Sequence, residues 1–381
     1  MPHPRTAARV PSAHRLLARP VLGGLTLALL LAGCGNPSDP SGTSRPSAEK
    51  TAPGSGWLPP RPSTGSPTGD PASPSIASTS IVTTDPSSAA AAAAADSPGS
   101  GAATGALGGQ TTSQSPASTL PGGGTRIFPD HRLVGYSGYP GSPALGRLGV
   151  GNLDDRAAEI TTLAGQYAAG RRPLPVFELI ATVVHAKPGP DGLYRTRIDQ
   201  EIVRRHLDAA RRHGAILLLN IQPGRAAFLD EVKFWEPWLR EPDVGLALDP
   251  EWAVKAGQVP GKVFGRMTGA ELDTIAAYVA GIVAANRLPE KVVLYHQLHT
   301  SIVREPTGLR PHPGVALVVS VDGIGTPGQK TATWRSIVAV TPEHVHKGFK
   351  LFYDEDTATG PLMTPTQVLS LTPQPEYVLY E

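Results

Sequence analysis

Val244-Gly245-Leu246-Ala247-Leu248-Asp249-Pro250-Glu251-Trp252 has the pattern of a strand buried on both sides that breaks off into two carboxylates and an indole. Successive side chains on a strand point to opposite faces. Gly245, Ala247, Asp249 and Glu251 therefore share one face, and Leu246 and Leu248 take the other. Small residues inward and leucines outward against helices suit one strand of a (β/α)8 barrel. The two acids then stand at the C-terminal mouth, where such barrels carry chemistry.

Seven further strands can be set around it. In chain order the pattern predicts strands at 133–137, 174–182, 215–221, 244–249, 291–296, 315–321, 348–353 and 377–380. Helices are predicted at about 154–169, 198–213, 226–240 with Pro237 kinking or ending it, 269–287, 330–338 and 364–369. Thr268 with Glu271 reads as a capping box for the fourth of these. Alternating strands and helices over residues 126–381 give a TIM-like barrel of ordinary size. No helix follows the eighth strand, so the segment around Ile127 and Phe128 is expected to cover its outer face. An open doubly wound sheet is the other fold considered. It lacks the Gly-rich phosphate turn that would follow its first strand.

Ahead of the domain the chain reads as an export signal and a tether. Arg5, Arg9, Arg15 and Arg19 precede an apolar run at 21–31, too short to favour a transmembrane helix. Leu31-Ala32-Gly33-Cys34 follows directly and resembles the lipobox of bacterial lipoproteins, which implies lipidation of Cys34 after removal of 1–33. Cys34 is the only cysteine, so no internal disulfide can form. Residues 34–125 are Pro, Ser, Gly, Thr and Ala with few large apolar side chains, the composition of a disordered linker. A flexible chain of roughly 90 residues has an r.m.s. span of about 50–60 Å. The net charge of +2 and the lack of a basic run give no case for a nucleic-acid partner.

The polar residues at the strand ends are Glu178, Asn220, Gln222, Asp249, Glu251, Gln297, Asp322 and Asp354, with Tyr136, His296 and Tyr353 nearby. Crowded carboxylates repel, and one of a close pair keeps its proton near neutral pH. A protonated acid beside an ionised one is what glycoside hydrolysis needs. Asp249 with Glu251 is the strongest pair, on one face beside Trp252 and ahead of a long loop, with Glu178, Asp322 and Asp354 as the other candidate catalytic acids. Trp252 is placed to stack on a sugar, with Asn220, Gln222, His296, Gln297 and Tyr136 as substrate contacts. Each has a plainer alternative. Glu178 can be a buried acid bonded to Asn220, Asp322-Gly323 a turn, and Trp252 a packed rim residue. Neither His296 with His299 nor His344 with His346 has the spacing of a helical zinc signature. No metal, no cofactor and a monomer are expected.

The apolar-Asp-x-Glu strand end is similar to two groups of sugar-cleaving barrels, the chitinase type and the Chalaropsis-type muramidases. The resemblance implies that Glu251 is the general acid and that Asp249 assists it. The earlier aspartates of the chitinase motif are missing, with Gly245 and Ala247 in their places. The domain as a whole resembles secreted actinobacterial lipoproteins, which implies no activity. Two functions are therefore carried forward: an envelope-located glycoside hydrolase acting on a polysaccharide, and a glycan-binding barrel without turnover.

Overall fold

The computed structural model describes residues 118–381. The signal segment, Cys34 and the tether up to residue 117 lie outside the described residues. Eight parallel strands form the barrel: β1 His131–Gly138, β2 Arg172–Val184, β3 Ile216–Ile221, β4 Val244–Leu248, β5 Lys291–Gln297, β6 Val315–Val321, β7 His346–Leu351 and β8 Tyr377–Tyr380. Each pairs with the next, and β1 pairs with both β2 and β8, so the sheet closes without an edge. The domain is a (β/α)8 barrel.

The alternation read from β4 holds around the ring. Leu133, Leu174, Val176, Ile216, Leu218, Ala247, Val292, Leu294, Ala316, Val318, Tyr377 and Leu379 form one buried cluster, the barrel interior. Leu217, Leu246, Leu248, Val293, Val319 and Phe349 belong to a second cluster with the helices. A side chain at Gly245 would meet Leu218 Cδ2 at 2.7 Å and the Val292 carbonyl at 2.9 Å, which explains the small residue on that face.

Seven helices cover the barrel: α1 Leu153–Gln166, α2 Gln200–Arg212, α3 Phe228–Leu239, α4 Gly269–Asn286, α5 Pro327–Val338, α6 Tyr353–Thr357 and α7 Pro365–Leu369. The Thr268–Glu271 capping box of α4 is present. Pro237 sits within the last turn of α3, which ends two residues later. Among the described residues, no helix is long and apolar enough to cross a membrane.

Three expectations change. β7 stops at Leu351, and Tyr353 begins α6 rather than ending a strand. The cause is Asp356, which accepts from the Phe352 and Gly325 amides at 3.0 Å each and pairs with Lys330 at 2.9 Å, turning the chain inward. Asp354 is thus a helix residue and not a strand-end one. β4 stops at Leu248, so the face shared by Gly245 and Ala247 does not run on to Glu251, which sits on the 3-10 turn Pro250–Trp252. The segment before β1 does not cover β8. Leu120, Ile127 and Phe128 cluster with the barrel interior and close its floor, pinned by Glu290, which accepts from the Ile127 amide at 2.7 Å. The outer face of β8 is filled by tyrosine instead, with Tyr380 bonded to Tyr167 at 2.6 Å.

Candidate active site

The C-terminal ends of the inward-facing strand positions bring a charged layer into the barrel. Glu178 on β2, Asn220 on β3, His296 on β5, Ser320 on β6 and Lys350 on β7 are all buried. Asp249 and Asp322 extend the same parity just past β4 and β6. His296 is the hub. Its Nδ1 lies 2.7 Å from Asp322 Oδ2, and its Nε2 lies 3.0 Å from Glu178 Oε1 and 3.6 Å from Asp249 Oδ1. Burial pushes the imidazole pKa down, but the carboxylates of Asp322, Glu178 and Asp249 outweigh it and hold the pKa well above the ordinary histidine value. The ring is therefore a cation that donates from both nitrogens.

Each acid around it is held differently. Glu178 accepts from Tyr377 Oη at 2.6 Å, from Asn220 Nδ2 at 3.2 Å and from His296, and it is fully buried. Burial alone would raise its pKa, yet His296 brings it below the usual glutamate range. Asp322 accepts from Ser320 Oγ at 2.7 Å and pairs with Lys350 Nζ at 3.3 Å. Burial is again outweighed, by His296 and then Lys350, and its pKa is depressed. Lys350 reaches Glu381 at 2.6 Å, and Ser137 donates to the same Glu381 oxygen at 2.9 Å. Asp249 accepts from Asn220 Nδ2 at 2.9 Å and Gln222 Nε2 at 3.1 Å. Burial raises its pKa, although His296 and Lys350 pull the other way.

Glu251 stands apart. It lies on the turn Pro250–Trp252, directly after Asp249 and Pro250, with Trp252 half-buried beside it. Its Oε2 is shielded from solvent and has no hydrogen-bond partner among the described residues. An ionised oxygen in that position would be an uncompensated buried charge, which is strongly disfavoured. Burial, and after it the charge of Asp249, pushes the Glu251 pKa well above the ordinary value. Both carboxyls of the pair are thus pushed toward the protonated form, Glu251 well above the ordinary glutamate value.

The structure therefore joins Glu178, Asn220, Gln222, Asp249, His296 and Asp322 in one network, with Glu251 and Trp252 at its mouth. Three other candidates lie elsewhere. Tyr136 has the outward parity of Val134 and bonds the Tyr353 hydroxyl at 3.3 Å in the outer layer. Gln297 donates to the His299 carbonyl at 3.2 Å. Asp354 is exposed on α6. Lys350, Tyr377, Ser137, Ser320 and Glu381 were not singled out from the sequence. The signal for Lys350 was present, a lysine between Phe349 and Leu351 and in phase with Gly348.

No family model matches the sequence, and no curated protein matches it significantly. Among solved structures, a hyperthermophilic endo-β-1,4-glucanase in complex with substrate is similar to this chain. The TM-score is 0.36 and the identity 9%, over 65% of this chain and 87% of that one. The barrel assignment rests on the strand register and not on that likeness.

Proposed function

We propose that the domain is a glycoside hydrolase of the cell envelope, with Glu251 as its general acid. The observation that carries this reading is the shielded, unpartnered Glu251 Oε2 beside Asp249. An acid held protonated at neutral pH is able to give its proton to a substrate oxygen. Asp249 keeps the proton on Glu251 by its charge. The second carboxylate is drawn from Asp249 and Asp322, which each keep 6% exposure, rather than from Glu178, which keeps none. Glu178 and Asp322 fix the imidazolium of His296, and that cation offsets the charge of Asp249. Trp252 offers a stacking face at the same turn. The activity is tested by incubating the protein with peptidoglycan, chitin and uncharged β-glucans and counting new reducing ends. Release above the heat-killed control supports hydrolysis.

A glycan-binding barrel without turnover is the second reading. The observation in its favour is that His296 and Lys350 already occupy the interior acids. Under that reading the same incubation shows retention of a glycan and no reducing ends. In either case we propose that the lipobox at Leu31–Cys34 places the domain on the outer face of the membrane through an acylated Cys34.

A further inference from the structure

The loop that follows Glu251 is a finger with a fixed base. The Gly265 amide donates to the Glu251 carbonyl at 2.5 Å, and the Arg266 amide to the Ala253 carbonyl at 3.3 Å. The Val254 amide donates to the Gly224 carbonyl at 2.9 Å. Arg225 holds the flank. Its guanidinium donates twice to the Gln258 carbonyl, at 2.6 and 2.8 Å, and lies 4.2 Å over the Tyr194 ring. The two legs of the finger therefore run side by side, and Arg266 is pinned next to the turn that carries the acid.

The content of the finger is one-sided. Between Trp252 and Ala270 the charged residues are Lys255, Lys262 and Arg266, three cations and no acid. All three cations are exposed, and none forms an ion pair among the described residues. Elsewhere in the domain the arginines are mostly engaged. Arg195 and Arg197 bind Glu231, Arg211 binds Asp243, and Arg147 binds Glu159. Beside the free cations, Val263 and Phe264 are exposed, Phe264 at 61%. An apolar ring set among unpaired positive charges, at a backbone distance of one hydrogen bond from the acid's turn, fits a chain that is anionic and presents flat apolar faces.

We propose that this finger binds an anionic polysaccharide, with Phe264 against a sugar face and Lys255, Lys262 and Arg266 pairing with its carboxylate or phosphate groups. The proposal deepens the reading of Glu251 as an acid on a glycan and rests on it for the position of the cleaved bond. Charge complementarity selects an anionic over a neutral chain, and long-range attraction of that kind weakens as salt is added.

The test uses the full chain carrying Cys34→Ala, so that no acyl group contributes. Binding is measured to polygalacturonate, to a neutral β-glucan of similar length and to phosphatidylglycerol vesicles, each at low and high salt. Polygalacturonate is expected to bind more tightly than the neutral glucan and to weaken with salt. The triple variant Lys255→Ala, Lys262→Ala and Arg266→Gln should lose about tenfold in that affinity, the summed effect of three exposed ion pairs, with an unchanged melting temperature. Phe264→Ala should weaken binding while keeping its salt dependence. Equal binding of both glycans, or a triple variant that binds polygalacturonate like the parent, overturns the proposal. So does binding to the vesicles without binding to polygalacturonate, which assigns the finger to a lipid surface. Glu251→Gln separates the two readings. If it retains salt-sensitive binding and no glycan is ever hydrolysed, the finger stands and the general acid falls. If neutral glycans are hydrolysed through Glu251 and polygalacturonate is not bound, the acid stands and the finger falls.

Discussion

Asp249 and Glu251 are two residues apart and are held differently: Asn220 and Gln222 donate to Asp249, while Glu251 Oε2 has no partner among the described residues. If Glu251 must be protonated to act, activity falls on the alkaline side as pH passes its raised pKa. Asp249→Asn removes the neighbouring charge, so the Glu251 pKa drops and that alkaline limb moves to lower pH. A limb that stays in place in the variant's pH–rate profile contradicts the coupling. A second prediction concerns Lys291 at the barrel floor. Burial pushes it down to about 7, and its Nζ donates to the Glu241 and Val244 carbonyls at 2.6 and 2.7 Å. Between about pH 7 and the ordinary lysine value of about 10.4 the unfolded chain binds the proton that the folded chain releases, so this group makes stability rise with pH. Lys291→Met should remove that slope in the difference between the two denaturation series. His296 works in the other direction: its raised pKa gives stability present below the ordinary histidine range and lost as pH climbs through the folded value. Asp249, Glu178 and His296 could be read from strand parity, whereas Glu251 reaches the mouth from the turn Pro250–Trp252 and not from the strand face. Lys350, Tyr377 and Glu381 could not be linked to them, because the partner of a buried charge depends on the stagger between strands, which no single strand's pattern encodes.

At the scale of elements, the finger depends on one close approach. A Cβ at Gly265 would lie 2.4 Å from the Ala253 nitrogen and 2.5 Å from its carbonyl atoms, all backbone. Gly265→Ala must therefore part the legs of the finger and shift Glu251. We expect a loss of about 1–3 kcal/mol in stability, as for other overpacked sites, together with a fall in turnover. A variant with parental melting and turnover would show that the base of the finger is not tight. The floor makes a separate prediction. Phe128 is buried and stacks on His346 at 3.9 Å, so Phe128→Ala should cost about 3–5 kcal/mol. A denaturation midpoint close to the parent's would contradict its place in the core. The eight strands were legible because barrel strands are apolar on both faces and short. The floor segment was placed wrongly because a few apolar residues in a Gly- and Pro-rich stretch say that something is buried, without saying against what. α6 was missed because its cause, the capture of two backbone amides by Asp356, is a tertiary contact.

At the scale of the molecule, closure of β1 on β8 gathers groups far apart in the chain, such as Glu178 and Tyr377, into one charged layer. In the proposed arrangement this barrel is held to the membrane by Cys34, so Cys34→Ala should release the protein into the medium or leave it unprocessed. Fractionation of cells expressing the two forms checks this, and equal membrane retention after cleavage at the same position contradicts it. The account as a whole turns on whether the domain cleaves glycans through one acid. The measurement is reducing-end release by the parent and by Glu251→Gln, side by side, with both melting curves recorded. The account predicts that turnover falls by about 10²–10⁴-fold, the usual contribution of general acid catalysis, while the fold and glycan binding persist. Turnover that survives in Glu251→Gln, or a variant that loses its fold, would contradict it.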